Sequence, residues 1–192
     1  MKILLFLAKG VELIEMSAFI DVFGWDRHYN NGNIEIVTCG FTKEVISTFN
    51  VPIGVDLLID EVSTDDYVAL AIPGGFSEYG FYEEAYTEKF LDLIQRFNDK
   101  SKWIASICVG ALPIGKSGIL NGKRGTTYYL MGGRRQKQLE DFGVKVINEP
   151  VVVEGNIITS WCPSTAVEVA YKLLEVLRTK EDSDNVRKIM GY

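Results

Sequence analysis

Cys108 stands where two patterns meet. Trp103–Ile107 reads as a buried strand, and the stretch after it, to Gly118, reads as a helix. Ser106 and Gly110 lie two positions to either side, the small-x-nucleophile-x-small layout of a nucleophile elbow. Such a turn admits only small neighbours and pushes its central side chain into the open. A helix N-terminus also offers unpaired amides and partial positive charge, so Cys108 is expected to be a nucleophile with a depressed pKa. As a plain strand-end cysteine it would be an inert small hydrophobe. The turn context favours the reactive reading.

Glu15 is the second candidate. In a helix over residues 11–29, Glu15, Phe19, Val22 and Phe23 share one face, because positions three, four and seven apart line up. A carboxyl held among apolar groups has a raised pKa, and in its protonated form it can donate a hydrogen bond to a neighbouring thiolate. The alternative is a solvated first-turn glutamate, a role that suits Glu12 better.

Other chemistry-bearing residues carry less. Gly110-Ala-Leu-Pro-Ile-Gly115-Lys116-Ser117 matches a phosphate-loop pattern. Gly118 and Asn121-Gly122 follow at once, however, so Lys116-Ser117-Gly118 reads as a basic, glycine-capped helix end instead. Cys39 reads as a core residue at a strand end. Cys162, before Pro163-Ser164, lies in a loop that could rim a pocket. The only histidine, His28, is thirteen residues beyond Glu15 on the same helix, roughly 20 Å along its axis. Arg134-Arg135 reads as a solvated helix face rather than an anion clamp. These residues have no metal-ligand spacing, and neither a metal nor a cofactor is expected.

The elements that must position these residues alternate along the chain. Strands are expected at Ile3–Ala8, Ile34–Cys39, Val68–Ile72, Trp103–Ile107, Val144–Ile147, Val151–Val153 and Ile157–Thr159, the last two joined by the turn Glu154-Gly155-Asn156. Helices are expected over residues 11–29, 83–98, 109–118, 133–142 and 164–179, followed by a polar tail that could form a short helix or a partner contact. Alternation of this kind means an α/β fold, a mostly parallel sheet with helices on both faces, in one domain over residues 1–192. Ligands in such sheets sit beyond the carboxyl ends of the strands. Two loops stand there: Pro73-Gly74-Gly75 and Ser106–Gly110.

Composition narrows the classes. The 192 residues are 47% hydrophobic and 24% charged, which is globular usage. A net charge of −6 argues against a nucleic-acid binder. Three cysteines are too few, and odd in number, for a disulfide framework, and they suit a reducing, cytoplasmic setting. The six-residue apolar run at Ile3–Ala8 is too short for an export signal, and no run elsewhere is long enough to cross a membrane.

Together these pieces resemble the ThiJ/PfpI family, within the class I glutamine amidotransferase-like superfamily. The resemblance rests on Ala8–Glu15 after the first strand, Pro73-Gly74-Gly75, Ser106–Gly110, Gly118–Thr127, and Thr159-Ser160 with Pro163–Thr165 before the last long helix. It implies a flavodoxin-like three-layer sandwich, usually a homodimer, with an oxidation-prone cysteine at the elbow. It further implies that Glu15 contacts Cys108 and that the amides of Gly75 and Val109 form an oxyanion-hole-like pocket. Members using a cysteine–histidine pair place the histidine directly after the cysteine or directly after the Thr-Thr. Here those positions hold Val109 and Tyr128. Peptide-bond hydrolysis is therefore not expected. Chemistry needing only a thiolate and a carboxylic acid stays open: addition to a small reactive carbonyl of the glyoxalase or deglycase type, hydration of an isonitrile, or, without turnover, oxidative-stress sensing at Cys108.

Overall fold

The apolar run at the N-terminus becomes the middle of a sheet. In the computed structural model, which describes all of residues 1–192, β1 (Lys2–Phe6) lies between two parallel neighbours, β2 (Glu35–Gly40) and β6 (Ala69–Ile72). The remaining strands are β3 (Glu44–Ile46), β4 (Pro52–Gly54), β5 (Leu57–Leu58), β7 (Trp103–Ser106), β8 (Arg124–Gly125), β9 (Lys145–Val146), β10 (Val151–Glu154) and β11 (Ile157–Ser160). The main sheet runs β10-β11-β7-β6-β1-β2-β5, parallel except for the edge strand β10. Its central strands are continuously apolar because both faces are covered.

Seven helices provide the cover: α1 (Leu13–Tyr29), α2 (Phe81–Ala85), α3 (Glu88–Asp99), α4 (Ala111–Lys116), α5 (Arg134–Asp141), α6 (Ala166–Leu177) and α7 (Lys180–Met190). Helices α1, α6 and α7 pack together on one side, while α3 and α4 pack on the other. The result is the flavodoxin-like three-layer sandwich. On the α3 side, Phe6 of β1 stacks on Phe90 at 3.7 Å between ring centroids.

Several elements depart from expectation. The helix expected over 83–98 is two helices, because Thr87 breaks the first and caps the second by accepting a hydrogen bond from the Phe90 amide at 3.4 Å. The helix expected over 109–118 opens with a tight turn at Cys108–Gly110 and ends at Lys116, with Gly118 at φ +88°. Lys116 rests over the rings of Tyr86 and Phe142. The Val144–Ile147 strand pairs with β8 in a separate two-stranded sheet rather than joining the main one. A second two-stranded sheet, the antiparallel hairpin β3–β4, has strands of three residues each, too short for an apolar period to show. The polar tail is part of the body: Val186 of α7 is fully buried, and Arg178 bridges the buried Asp26 of α1 and Asp182. The short helix expected there is α7, amphipathic and buried along one face through Ser183 and Val186. No helix is long and apolar enough to cross a membrane.

Candidate active site

The elbow is built as its neighbours require. Cys108 sits at φ +55°, a backbone region that a non-glycine residue adopts only when its surroundings impose it. The imposing contacts are visible. A Cβ on Gly110 would lie 2.3 Å from the Ile72 carbonyl oxygen, so only glycine permits this approach. The Thr127 hydroxyl donates to the Cys108 carbonyl at 2.8 Å, pinning the turn from the other side.

The glycine pair after β6 is shaped by the chain opposite. Phe76 N–H donates to Gly10 O at 3.0 Å, and Glu12 N–H donates to Gly74 O at 2.9 Å. Val11 and Gly75 are thereby held as a non-hydrogen-bonded pair, which leaves the Gly75 N–H without an acceptor in the protein. Gly74 N–H is not free; it donates to Glu15 Oε2 at 2.5 Å. Gly74 therefore positions Glu15, and Gly75 is the glycine with an amide to offer a ligand.

Glu15 is fully buried, on the α1 face with Phe19, Val22 and Phe23. Its Oε1 accepts no hydrogen bond from a nitrogen or oxygen, and Cys108 is close enough for the two groups to shift each other's ionisation. Loss of solvation pushes its carboxyl up to about 8, against the Gly74 amide, which favours the ionised form. The reading of Glu12 as a solvated glutamate is corrected. Glu12 is only 7% exposed, lies within reach of the Thr48 hydroxyl at 3.5 Å and lines the same pocket as Glu15, whose carboxyl its charge pushes further up.

The expectation of a depressed Cys108 pKa is also corrected. Burial pushes the thiol well above its ordinary value, and an ionised Glu15 beside it pushes in the same direction. The Val109 N–H at the sulfur favours thiolate but is outweighed. The physical reason is that α4 is six residues long and the sulfur at its head is almost out of solvent.

Cys108 opens into a pocket of about 480 Å³, a size that suits a small-molecule ligand. Glu12, Glu15, Gly75, Val109, Tyr128 and Cys162 line it together with the apolar Phe76, Leu130 and Met131 and the basic Arg134 and Arg135. The solvated face expected at Arg134-Arg135 is present, with Arg134 exposed and Arg135 half-buried, and it borders the pocket. Neither arginine is paired with a carboxylate; Arg135 stacks over the Tyr82 ring at 4.8 Å. Positive φ at Gly132 and Gly133 makes the turn before them, a signal the double glycine carried in the sequence. Tyr128, half-buried with its phenol pushed up by burial, is a donor rather than a base. His28 is exposed beside Tyr29, toward the far end of α1. Cys39 is fully buried, its thiol pushed up to about 12. No cluster of three or more His, Cys, Asp or Glu side chains that could hold a metal forms in the fold.

Comparison with known proteins agrees with this fold. The family model described as the DJ-1/PfpI family matches residues 1–176. The Schizosaccharomyces pombe protein named glutathione-independent glyoxalase DJ-1 is 33% identical over 99% of this chain and 98% of its own length. Deglycase PfpI of Pyrococcus furiosus is 31% identical over 85% of this chain and 91% of its own. Protein DJ-1 homolog B of Arabidopsis thaliana is 29% identical over 94% of this chain, which spans only 39% of that longer protein. The solved structure of Schizosaccharomyces pombe DJ-1 superposes with a TM-score of 0.83, covering all of both chains at 30% identity. With the elbow, the glycine pair and the buried glutamate all in place on that same sandwich, the chain belongs to the DJ-1/PfpI family.

Proposed function

We propose that the protein is a cysteine-dependent enzyme acting on a small reactive carbonyl, of the glyoxalase or deglycase kind, with Cys108 as nucleophile and Glu15 as its acid/base partner. The observation that carries this reading is the pairing of a strained, pocket-facing cysteine with a carboxyl buried enough to be protonated near neutral pH. Once Glu15 holds a proton, it no longer repels a thiolate and can donate to it instead. Thiolate addition to an aldehyde carbon makes a C–S bond and places negative charge on the carbonyl oxygen. The unpaired Gly75 N–H is available for that oxygen, and the Glu15 proton can follow. The names of the fission-yeast and Pyrococcus relatives support the substrate class. Peptide hydrolysis is not part of the proposal, because the site holds no imidazole to protonate a leaving amine.

The test is disappearance of methylglyoxal with wild-type protein, Cys108→Ser and Glu15→Gln, each checked for folding. Loss of at least a hundredfold in both variants is expected, and an active Cys108→Ser would end the assignment. A second reading, a non-enzymatic stress sensor, draws on the same pair, since a protonated carboxyl beside the sulfur also favours cysteine oxidation. Wild type without turnover, but oxidised at Cys108 by mild peroxide, would select it. The exposed Ile14 and Ile20 on α1 support a homodimer, which sedimentation at micromolar concentration would test.

A further inference from the structure

The catalytic reading makes no use of Cys162, yet Cys162 lines the same pocket as Cys108. We infer that the two form a redox site in which mild peroxide oxidation of Cys108 ends in a Cys108–Cys162 disulfide rather than in sulfinate. This rests on the reading of Cys108 as a reactive thiol.

The placement follows from strand order. β7 and β11 are parallel neighbours, with Ile158 opposite Ala105. Hydroxyls tie their carboxyl ends together: Ser106 donates to the Ile158 carbonyl at 3.4 Å, and Ser160 donates to the Ser106 carbonyl at 3.5 Å. Cys108 and Cys162 each stand two residues past the end of their strand. Strands in a sheet run about 4.8 Å apart. A disulfide needs Cα atoms roughly 4.4–6.8 Å apart; the strand spacing falls inside that range, with Cys162 one residue beyond the position level with Cys108. Thr165 fixes the second cysteine's turn, its hydroxyl donating to the Cys162 carbonyl at 2.7 Å.

A single segment serves both sulfurs. The Thr126 N–H donates to the Thr159 hydroxyl at 2.9 Å, and Thr127 holds the Cys108 carbonyl. Two residues further on, the Tyr129 N–H favours the Cys162 thiolate, as the Val109 N–H does at Cys108, although burial leaves both thiols above their ordinary value. An amide aimed at sulfur favours thiolate. Cys39, the third cysteine, has no such amide. Two thiols in one pocket, each with its own donor, differ from an inert core cysteine.

The chemistry balances with a hydroperoxide as the oxidant. The Cys108 thiolate attacks the peroxide oxygen, the O–O bond breaks, and the leaving oxygen takes a proton to give water or an alcohol. Cys108 is then a sulfenic acid. Cys162 sulfur attacks the sulfenic sulfur, an S–S bond replaces the S–O bond, and hydroxide leaves with the Cys162 proton as water. Two thiols are oxidised and one peroxide is reduced. Without the second thiol, another peroxide would carry Cys108 onward to sulfinate.

The experiment compares wild type with Cys162→Ser after a small excess, at least two equivalents, of hydrogen peroxide. Intact mass is followed by alkylation in denaturant and peptide mapping, with Cys39 as internal control. Wild type is expected to lose about 2 Da, with residues 108 and 162 blocked in one cross-linked peptide that dithiothreitol releases. Cys162→Ser should instead gain about 32 Da at Cys108, and dithiothreitol should not reverse it. Uptake of two oxygens at Cys108 in wild type, with Cys162 still alkylatable, overturns the inference and leaves the reactive-cysteine reading standing. A Cys108 untouched in both proteins overturns both.

Discussion

Glu15 offers the sharpest quantitative test, because burial and ionisation oppose each other at one atom group. Replacing Cys108 with serine first removes the coupled thiol, so that the carboxyl titrates alone. Glu15→Gln is then made on that background; the Gly74 N–H can still donate to a glutamine oxygen. The folded-state value is raised, from 4.5 to about 8. A raised carboxyl binds its proton more tightly in the folded than in the unfolded protein. Its burial therefore costs nothing extra below about pH 4.5, costs progressively more as pH rises, and reaches its full penalty above about pH 8. A full pH step inside that window is about 1.4 kcal/mol, and the steps at either end are partial, so the parent should lose about 3–4 kcal/mol relative to the glutamine variant between pH 5 and pH 8. Urea unfolding at several pH values across this range reads the difference directly, and the difference between the two proteins removes every other titrating group. Parallel stability curves for the two proteins would refute the argument. They would mean that Glu15 is solvated, or stays ionised throughout with a partner that compensates it.

Two further perturbations test the scaffold around the pair. Gly110→Ala puts a Cβ at 2.3 Å from the Ile72 carbonyl oxygen, a backbone atom that moves only if the end of β6 moves; a stability loss of about 3 kcal/mol and loss of Cys108 reactivity toward a thiol reagent are expected, by urea unfolding and labelling rate. Arg178→Met strands the fully buried Asp26 without its countercharge and should cost about 3–5 kcal/mol, while adding Asp26→Leu should restore a substantial part of it in the same unfolding assay.

What could be read along the chain was whatever depends on near neighbours. Continuous apolar runs show a sheet covered on both faces, small residues on either side of Cys108 show an elbow, and a three-four spacing puts Glu15 on the face of α1 that carries Phe19, Val22 and Phe23. Each of these is set within a few residues by backbone geometry or helical period. The two short hairpin strands β3 and β4 carry too few residues for a period to show. Other features depend on residues far apart in sequence, and only the tertiary structure decided them. Glu12 is buried with the Thr48 hydroxyl, thirty-six residues on, within reach of its carboxyl, and Arg134 and Arg135 border a pocket most of whose other residues come from distant segments. The direction of the Cys108 pKa is of the same kind. A helix start predicts a lowered value, but desolvation and the nearby Glu15 carboxyl, ninety-three residues earlier in the chain, raise it instead. That Cys162 shares a pocket with Cys108 follows from the pairing of β7 with β11, since strand order is set by packing both faces of the sheet at once and not by any local pattern.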